Sequence, residues 1–310
     1  MAAVRKIKQK MTKSRWILLF MASLGLIFLI IFNYVPMFGV ILAFKKGDYV
    51  INVSEAIFGS EWVGFDNFKK FLIDPEFRDV VVNTICLNLL SLLINFPAPI
   101  IFALLINEVK QKRFKKTVQT LSYFPYFLSW IVFGGIILRM LDPQSGIIND
   151  ILLKMHIIKK PIDFGMAKHF WWLMIVTALI KGVGWGSIIY VAAIAGIDAA
   201  MYEAADIDGA NRWDKMIKIT LPSIAPTVTV FLILAVSNLL NSGFDQLWVF
   251  RNQMNLEKSE VIDTYVYYHG VLKQRYSYTT AIGLLKSVIA MILLTLSNML
   301  SKKISGKGIY

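Results

Sequence analysis

Residues 16–44 read WILLFMASLGLIFLIIFNYVPMFGVILAF, a run of 29 residues without a charged side chain. A helix rises about 1.5 Å per residue and the hydrocarbon core of a bilayer is about 30 Å thick. The run is therefore long enough to cross with tilt, or to end in a re-entrant piece. Asn33-Tyr34-Val35-Pro36 marks its irregular outer portion, because proline disfavours helix at the residue before it. No small-residue cleavage pattern follows before Lys45-Lys46, and the run is longer than a signal-peptide core, so a retained first helix is expected.

The same pattern recurs along the chain. Val80–Asn107 is uncharged, with Pro97 and Pro99 placed to bend it. Thr117–Leu138 follows, then Phe170–Ile197 interrupted only by Lys181, then Ile219–Phe244, then Thr279–Ser301 with Lys286 inside it. Six spans define an all-α, polytopic membrane protein, with residues 1–310 forming one transmembrane domain. A composition of 56% hydrophobic and 17% charged residues agrees, since a soluble domain needs more polar surface. There is no internal repeat.

The formal net charge is +13, but the basic residues flank apolar blocks, which argues for membrane topology and against nucleic acid. Arg5, Lys6, Lys8, Lys10, Lys13 and Arg15 precede the first span without an acid. Lys110, Lys112, Arg113, Lys115 and Lys116 follow the second against Glu108 alone, and Lys302, Lys303 and Lys307 follow the last. These segments are expected to be cytoplasmic, with both termini inside a plasma or inner membrane. The segment between spans four and five is then cytoplasmic by parity, although its three basic and five acidic residues lend no support. The three outer loops carry 14 basic and 14 acidic residues. In the second of them, Asp142-Pro143 and Ser145-Gly146 are turn chemistry, and Ile147–Ile158 has the spacing of a short amphipathic helix.

The segment between spans four and five, Ala199–Pro222, reads AAMYEAADIDGANRWDKMIKITLP. Ala199–Asp206 consists largely of helix formers. Gly209 breaks the helix through a positive φ, Asn211 caps a second helix over Arg212–Ile219, and Pro222 starts a new direction. Ala204, Ala205 and Ala210 let another surface approach the backbone closely. Two uses fit: a rigid lever that inserts into a cytoplasmic partner, or an interfacial helix that anchors the loop.

At these residues the chain resembles the permease subunits of binding-protein-dependent ABC importers. The resemblance rests on Glu203-Ala204-Ala205, Asp208-Gly209-Ala210 and Ile219-Thr220-Leu221-Pro222, which match the family's EAA loop. Gly196-Ile197-Asp198, Arg212-Trp213 and Val261–Tyr267 are similar to the carbohydrate-uptake subfamily, the LplB-like and MalF-like permeases. The resemblance implies a type I importer permease fold. It places Glu203, Ala204, Ala205, Asp208, Gly209, Leu221 and Pro222 on the ATPase-coupling element. It further implies a second homologous permease, two cytoplasmic ABC ATPase subunits carrying ATP and Mg2+, an extracytoplasmic solute-binding protein and an oligosaccharide substrate. Many sugar permeases have a proline just before the coupling helix, where this chain has Asp198-Ala199.

Chemistry is sparse elsewhere. No G-x-x-x-x-G-K-[ST] phosphate loop occurs, so ATP hydrolysis belongs to another chain. His156, His169 and His269 lack metal-ligand spacing, Cys86 is the only cysteine, and no nucleophile has a recognisable base partner. No catalytic residue, metal or cofactor is therefore assigned, and the partners are protein, membrane lipid and solute. Polar residues inside spans are the candidates for a pathway. Lys181 lies too deep for easy snorkelling and is expected to face protein or a water-filled path, whereas Lys286 is near enough to its span's outer end to snorkel. Asn238 and Asn241, with Ser237 and Ser242, either bond a sugar hydroxyl or join neighbouring helices. Tyr123, Tyr126, Trp185 and Tyr190 either line a path on which sugar rings stack or pack ordinarily. A permease for a non-sugar solute is the first rival. An ion-driven secondary transporter is the second, for which the sequence shows one deep lysine and no inverted repeat.

Overall fold

A computed structural model of the chain describes residues 12–49, 52–305 and 308. Arg5, Lys6, Lys8, Lys10 and Lys307, used above for orientation, lie outside the described residues. Among the described residues five helices are long and apolar enough to cross a membrane, and a bent helix pair makes six if it counts as one span. Among the described residues the only extended pairing is an isolated bridge between Lys45 and Trp62.

Helix α1 (Lys13–Leu29) continues through a π-turn at Ile30–Tyr34 and a 3-10 segment at Phe38–Phe44 as one apolar rod. The π-turn falls where Pro36 removes a donor and crowds the preceding turn. None of α1 is buried. The loop after the first span carries α2 (Val53–Phe58) and α3 (Asp66–Leu72). The second span is α4 (Phe77–Ile94) and α5 (Pro97–Glu108), interrupted at Asn95-Phe96 where Pro97 opens the new helix.

The third span, expected over Thr117–Leu138, is broken in two. It is α6 (Lys112–Tyr123), extended by a 3-10 turn at Phe124–Phe127, and α7 (Trp130–Leu141), the two arms meeting at 104°. Pro125 has no N–H to continue α6, and the Ser129 hydroxyl accepts from Val132 N–H at 3.3 Å to start α7. The expected amphipathic helix beyond it is α8 (Ile147–Lys154).

Helix α9 (Ala167–Ala195) is the central fourth span. The next segment folds as α10 (Ala199–Ile207) and α11 (Arg212–Lys215), and the fifth span is α12 (Leu221–Ser237). Two boundaries here correct the sequence expectation. No new direction begins at Pro222: α11 passes through a π-turn at Met216–Thr220 into α12 as one 26-residue helix. The π-turn lies just ahead of the missing proline donor, and Ser223 Oγ donates to the Ile219 carbonyl at 2.7 Å. The span also ends at Ser237 instead of Phe244. Gly243 adopts φ 72°, which turns the chain into α13 (Phe244–Phe250). Helices α14 (Leu256–Ser259) and α15 (Ile262–Tyr267) complete the last outer loop, and α16 (Tyr276–Ser305) is the sixth span.

Helix α9 joins two of the three apolar cores. Its N-terminal half packs Phe170, Leu173, Met174 and Ile175 against Leu87, Leu247 and Phe250. Its C-terminal half packs Tyr190 and Ile194 against Ile100, Leu104 and Ile224. A third core joins Phe71, Val80, Tyr265 and Ile282. Side chains tie the loops after the first, third and fifth spans to span ends. Gln246 Nε2 donates to the Met174 carbonyl at 2.7 Å, Asn83 Nδ2 to the Glu257 carbonyl at 2.8 Å, and Trp171 Nε1 to the Lys258 carbonyl at 3.1 Å.

Candidate functional site

The segment between α9 and α12 is built to be stiff. Asp198 replaces the proline common at this place and caps α10, its Oδ1 accepting from Ala200 N–H at 3.0 Å. The helix ends in a Schellman turn: Ala210 N–H donates to the Ala205 carbonyl at 2.9 Å and Gly209 N–H to that of Asp206 at 3.2 Å, with Gly209 at φ 73°. Asn211 Oδ1 then accepts from Asp214 N–H at 3.0 Å to start α11. Two links close the hairpin: Lys215 Nζ to Asp206 Oδ1 at 2.6 Å, and Tyr202 Oη with Thr220 Oγ1 at 2.9 Å.

Glu203, Ala204, Asp208, Gly209, Leu221 and Pro222 are exposed along this element, and Ala205 is half-buried. The sequence reading passed over Ile207 and named Trp213 only within the resemblance, with no docking role. Ile207 is 88% exposed and Trp213 is 65% exposed. Both were legible as apolar residues set among charged ones in a short inter-span loop.

The pathway candidates separate into two groups. Trp185, Tyr190 and Asn238 line one open cleft of about 730 Å³, together with Asn95, Phe96, Pro99 and Phe231. Tyr190 packs edge-on to Phe231 at 6.1 Å, and Trp185 stacks on Tyr126 at 4.6 Å and 5°. Asn95 was not singled out in the sequence. Its Nδ2 donates to Ser91 Oγ at 3.1 Å, while its Oδ1 is buried with no hydrogen-bond partner.

Lys181, Asn241 and Tyr123 do not line that cleft. Lys181 Nζ donates to the carbonyls of Pro125 (3.1 Å), Tyr126 (2.8 Å) and Leu128 (2.5 Å), so it faces protein at the bend of the third span. Asn241 Oδ1 accepts from Lys286 Nζ at 2.8 Å, and Ser242 Oγ accepts from Asn88 Nδ2 at 2.7 Å. These residues join helices. Lys286 does not snorkel as expected: it ion-pairs with Asp263, whose other oxygen accepts from Ser242 N–H at 2.8 Å. A carboxylate brought within reach by α15 removes the need to seek water. Tyr123 is half-buried at the end of α6.

Up to six candidate spans and a capped hairpin between the fourth and fifth of them are the features to set beside known proteins. The chain belongs to the family described as binding-protein-dependent transport system inner membrane component, whose model matches residues 82–306. It is 40% identical over 299 residues to protein LplB of Bacillus subtilis (strain 168), covering 96% of this chain and 92% of that one. It is also 40% identical over 288 residues to YteP of the same organism, a polygalacturonan/rhamnogalacturonan transport system permease protein, covering 92% and 88%. Among solved structures it is similar to a chain of a bacterial ABC transporter involved in import of the acidic polysaccharide alginate. That match has TM-score 0.85 and 35% identity, and covers 94% of this chain and 97% of that one. A second structure, the alginate transporter in complex with alginate pentasaccharide-bound periplasmic protein, matches with TM-score 0.86 and 34% identity over 96% and 98%.

Proposed function

We propose that this chain is one of two permease subunits of an ABC importer for an oligosaccharide or sugar derivative, working by alternating access. A binding protein delivers the sugar to the outer loops. ATP and Mg2+ act on two cytoplasmic ATPase subunits, which push the hairpin of residues 198–222, and both termini of this chain lie on that side. The observation that carries the coupling is the hairpin itself, stiffened by its own caps yet presenting Ile207 and Trp213 to solvent. An apolar pair outside the membrane is costly to leave wet, and burial against a partner removes that cost. The relatives named above supply the substrate class. Within the cleft, Trp185 offers a stacking face and Asn238 an amide for a sugar hydroxyl.

The test is purification of the native complex in lipid, with identification of its co-purifying subunits. Uptake is then measured with oligogalacturonides, arabino-oligosaccharides and alginate oligosaccharides as probes. ATP-dependent uptake of at least one is expected, and uptake of non-sugar solutes alone would remove the substrate class. Gly209→Val, which forces a β-branched residue to φ 73°, and Glu203→Lys, which reverses charge on the exposed face, are expected to insert normally. Both should lose association with the ATPase or its stimulated hydrolysis, and retention of both properties would refute the lever.

A further inference from the structure

The bend of the third span interrupts the ladder of backbone hydrogen bonds at the end of α6, where the Pro125 carbonyl keeps one backbone donor, Leu128 N–H at 3.3 Å, inside a segment where lipid offers no others. One side chain meets three carbonyls there. Lys181 Nζ donates to the carbonyls of Pro125, Tyr126 and Leu128, matching its three protons to three acceptors at the negative end of a helix. No carboxylate is paired with it among the described ion pairs. The rings of Tyr126, Trp130 and Phe133 lie 5.5, 5.3 and 5.9 Å from the ammonium and complete its solvation.

The next turn of α9 continues the clasp. Gly184 packs so closely on α6 that a Cβ there would lie 2.2 Å from the Ser122 carbonyl oxygen. Trp185, one residue on, stacks on Tyr126 and also lines the open cleft. Residues 181, 184 and 185 share one helical face, so a single face of α9 both holds the bend and presents the aromatic wall.

We infer that Lys181 is a positioning residue for transport: by holding the bend at 124–129 it sets the Tyr126–Trp185 stack as the wall against which a sugar ring passes. This rests on the sugar-permease function proposed above. The two are separated experimentally by one measurement that needs no sugar and one that does.

The complete importer, with its partner subunits and binding protein, is reconstituted in lipid. Hydrogen exchange is followed in peptides covering 124–130 and, as a control, 276–305. Uptake of the three probe sugars is measured per ATP hydrolysed. Lys181→Met is expected to assemble and to speed exchange at the bend by about tenfold or more, leaving the control peptide unchanged. Uptake per ATP should fall severalfold while stimulated hydrolysis persists, a split that general destabilisation does not give. Lys181→Arg, which keeps charged donors, should recover most of the loss. Trp185→Leu should lower uptake per ATP without loosening the bend. Unchanged exchange in Lys181→Met, or parent-level uptake per ATP from a loosened bend, overturns the inference. If Lys181→Met does not assemble, parent-level uptake by Trp185→Leu overturns it instead. A parent complex that imports none of the probes refutes the sugar-permease function and the sugar wall together, while exchange still reports whether Lys181 holds the bend.

Discussion

Lys181 and Lys286 are both lysines inside apolar spans, and one sequence pattern hides two solutions to the same electrostatic problem. Lys181 is solvated by carbonyls at a helix break, whereas Lys286 is neutralised by Asp263 from an outer helix. The second arrangement makes a sharp prediction. The side chains of Lys286 and Asp263 are 18% and 19% exposed, so removing one partner strands a mostly buried charge. Lys286→Met should destabilise the protein by roughly 3–5 kcal/mol, and adding Asp263→Asn should restore much of that. Thermal unfolding of the purified complex distinguishes this from a dispensable surface pair, for which both variants would match the parent. Gly184 offers a second test at the same scale. Gly184→Ala places a methyl against the Ser122 backbone, 2.4 Å from its carbonyl carbon, where no flexible side chain can yield. A loss on the order of 1–3 kcal/mol is expected from the same unfolding measurement.

Elements show where sequence is a good guide and where it fails. Apolar length announces every span, and Gly209 and Asn211 mark the turn and cap of the hairpin where φ 73° and an Asp214 N–H contact are found. The 104° break of the third span was not legible, because Pro125 reads equally as a kink and as a stop. What decides between them is Lys181, 56 residues along the chain from Pro125 and brought to it only by packing. Asn238, likewise, reads as part of a span but lies in the turn after it, since nothing local makes Ser237 a helix end until Gly243 turns left-handed. The last outer loop carries its own prediction. His269 lies in the π-turn at Tyr268–Leu272, stacked on Tyr265 at 4.1 Å. Glu76 approaches it at 3.9 Å and Arg275 at 3.4 Å. Burial first, then the charges of Lys273 and Arg275, hold its pKa below the usual value, with Asp74 opposing. A histidine depressed in the folded state binds fewer protons than in the unfolded chain. Its contribution is therefore complete above the unfolded pKa of about 6.5 and is lost as pH falls toward the folded pKa. Exchange of peptides covering 262–275 should accelerate on acidification below that point, and His269→Gln should flatten the response. An equally steep response in the variant would assign the effect to another group.

The whole molecule has two kinds of exposed apolar surface. Along Lys13–Phe44 the exposed side chains belong to a candidate span of 32 residues whose surroundings are lipid or another membrane chain. Ile207 and Trp213 are different, because their hairpin carries Asp206, Asp208, Arg212 and Asp214 and is too short and too charged to enter a bilayer. On the function proposed above, the surface that covers them is a partner ATPase. The stiffness of the hairpin matters as much as its stickiness, since a push delivered at Ile207 reaches α12 only if the Schellman turn and the Tyr202–Thr220 link do not yield. Anchors of this kind contribute on the order of 2 kcal/mol each when fully buried, so losing one weakens association more than about tenfold. Trp213→Ala and Ile207→Ser should each leave membrane insertion unchanged and lower the fraction of ATPase that co-purifies in detergent. Tyr202→Phe, which removes the link but no apolar surface, should instead preserve co-purification and reduce binding-protein-stimulated hydrolysis. Undiminished co-purification in the Trp213 and Ile207 variants would mean that the ATPase docks elsewhere. Equal loss of binding in all three would mean that the hairpin is an adhesive surface and not a lever.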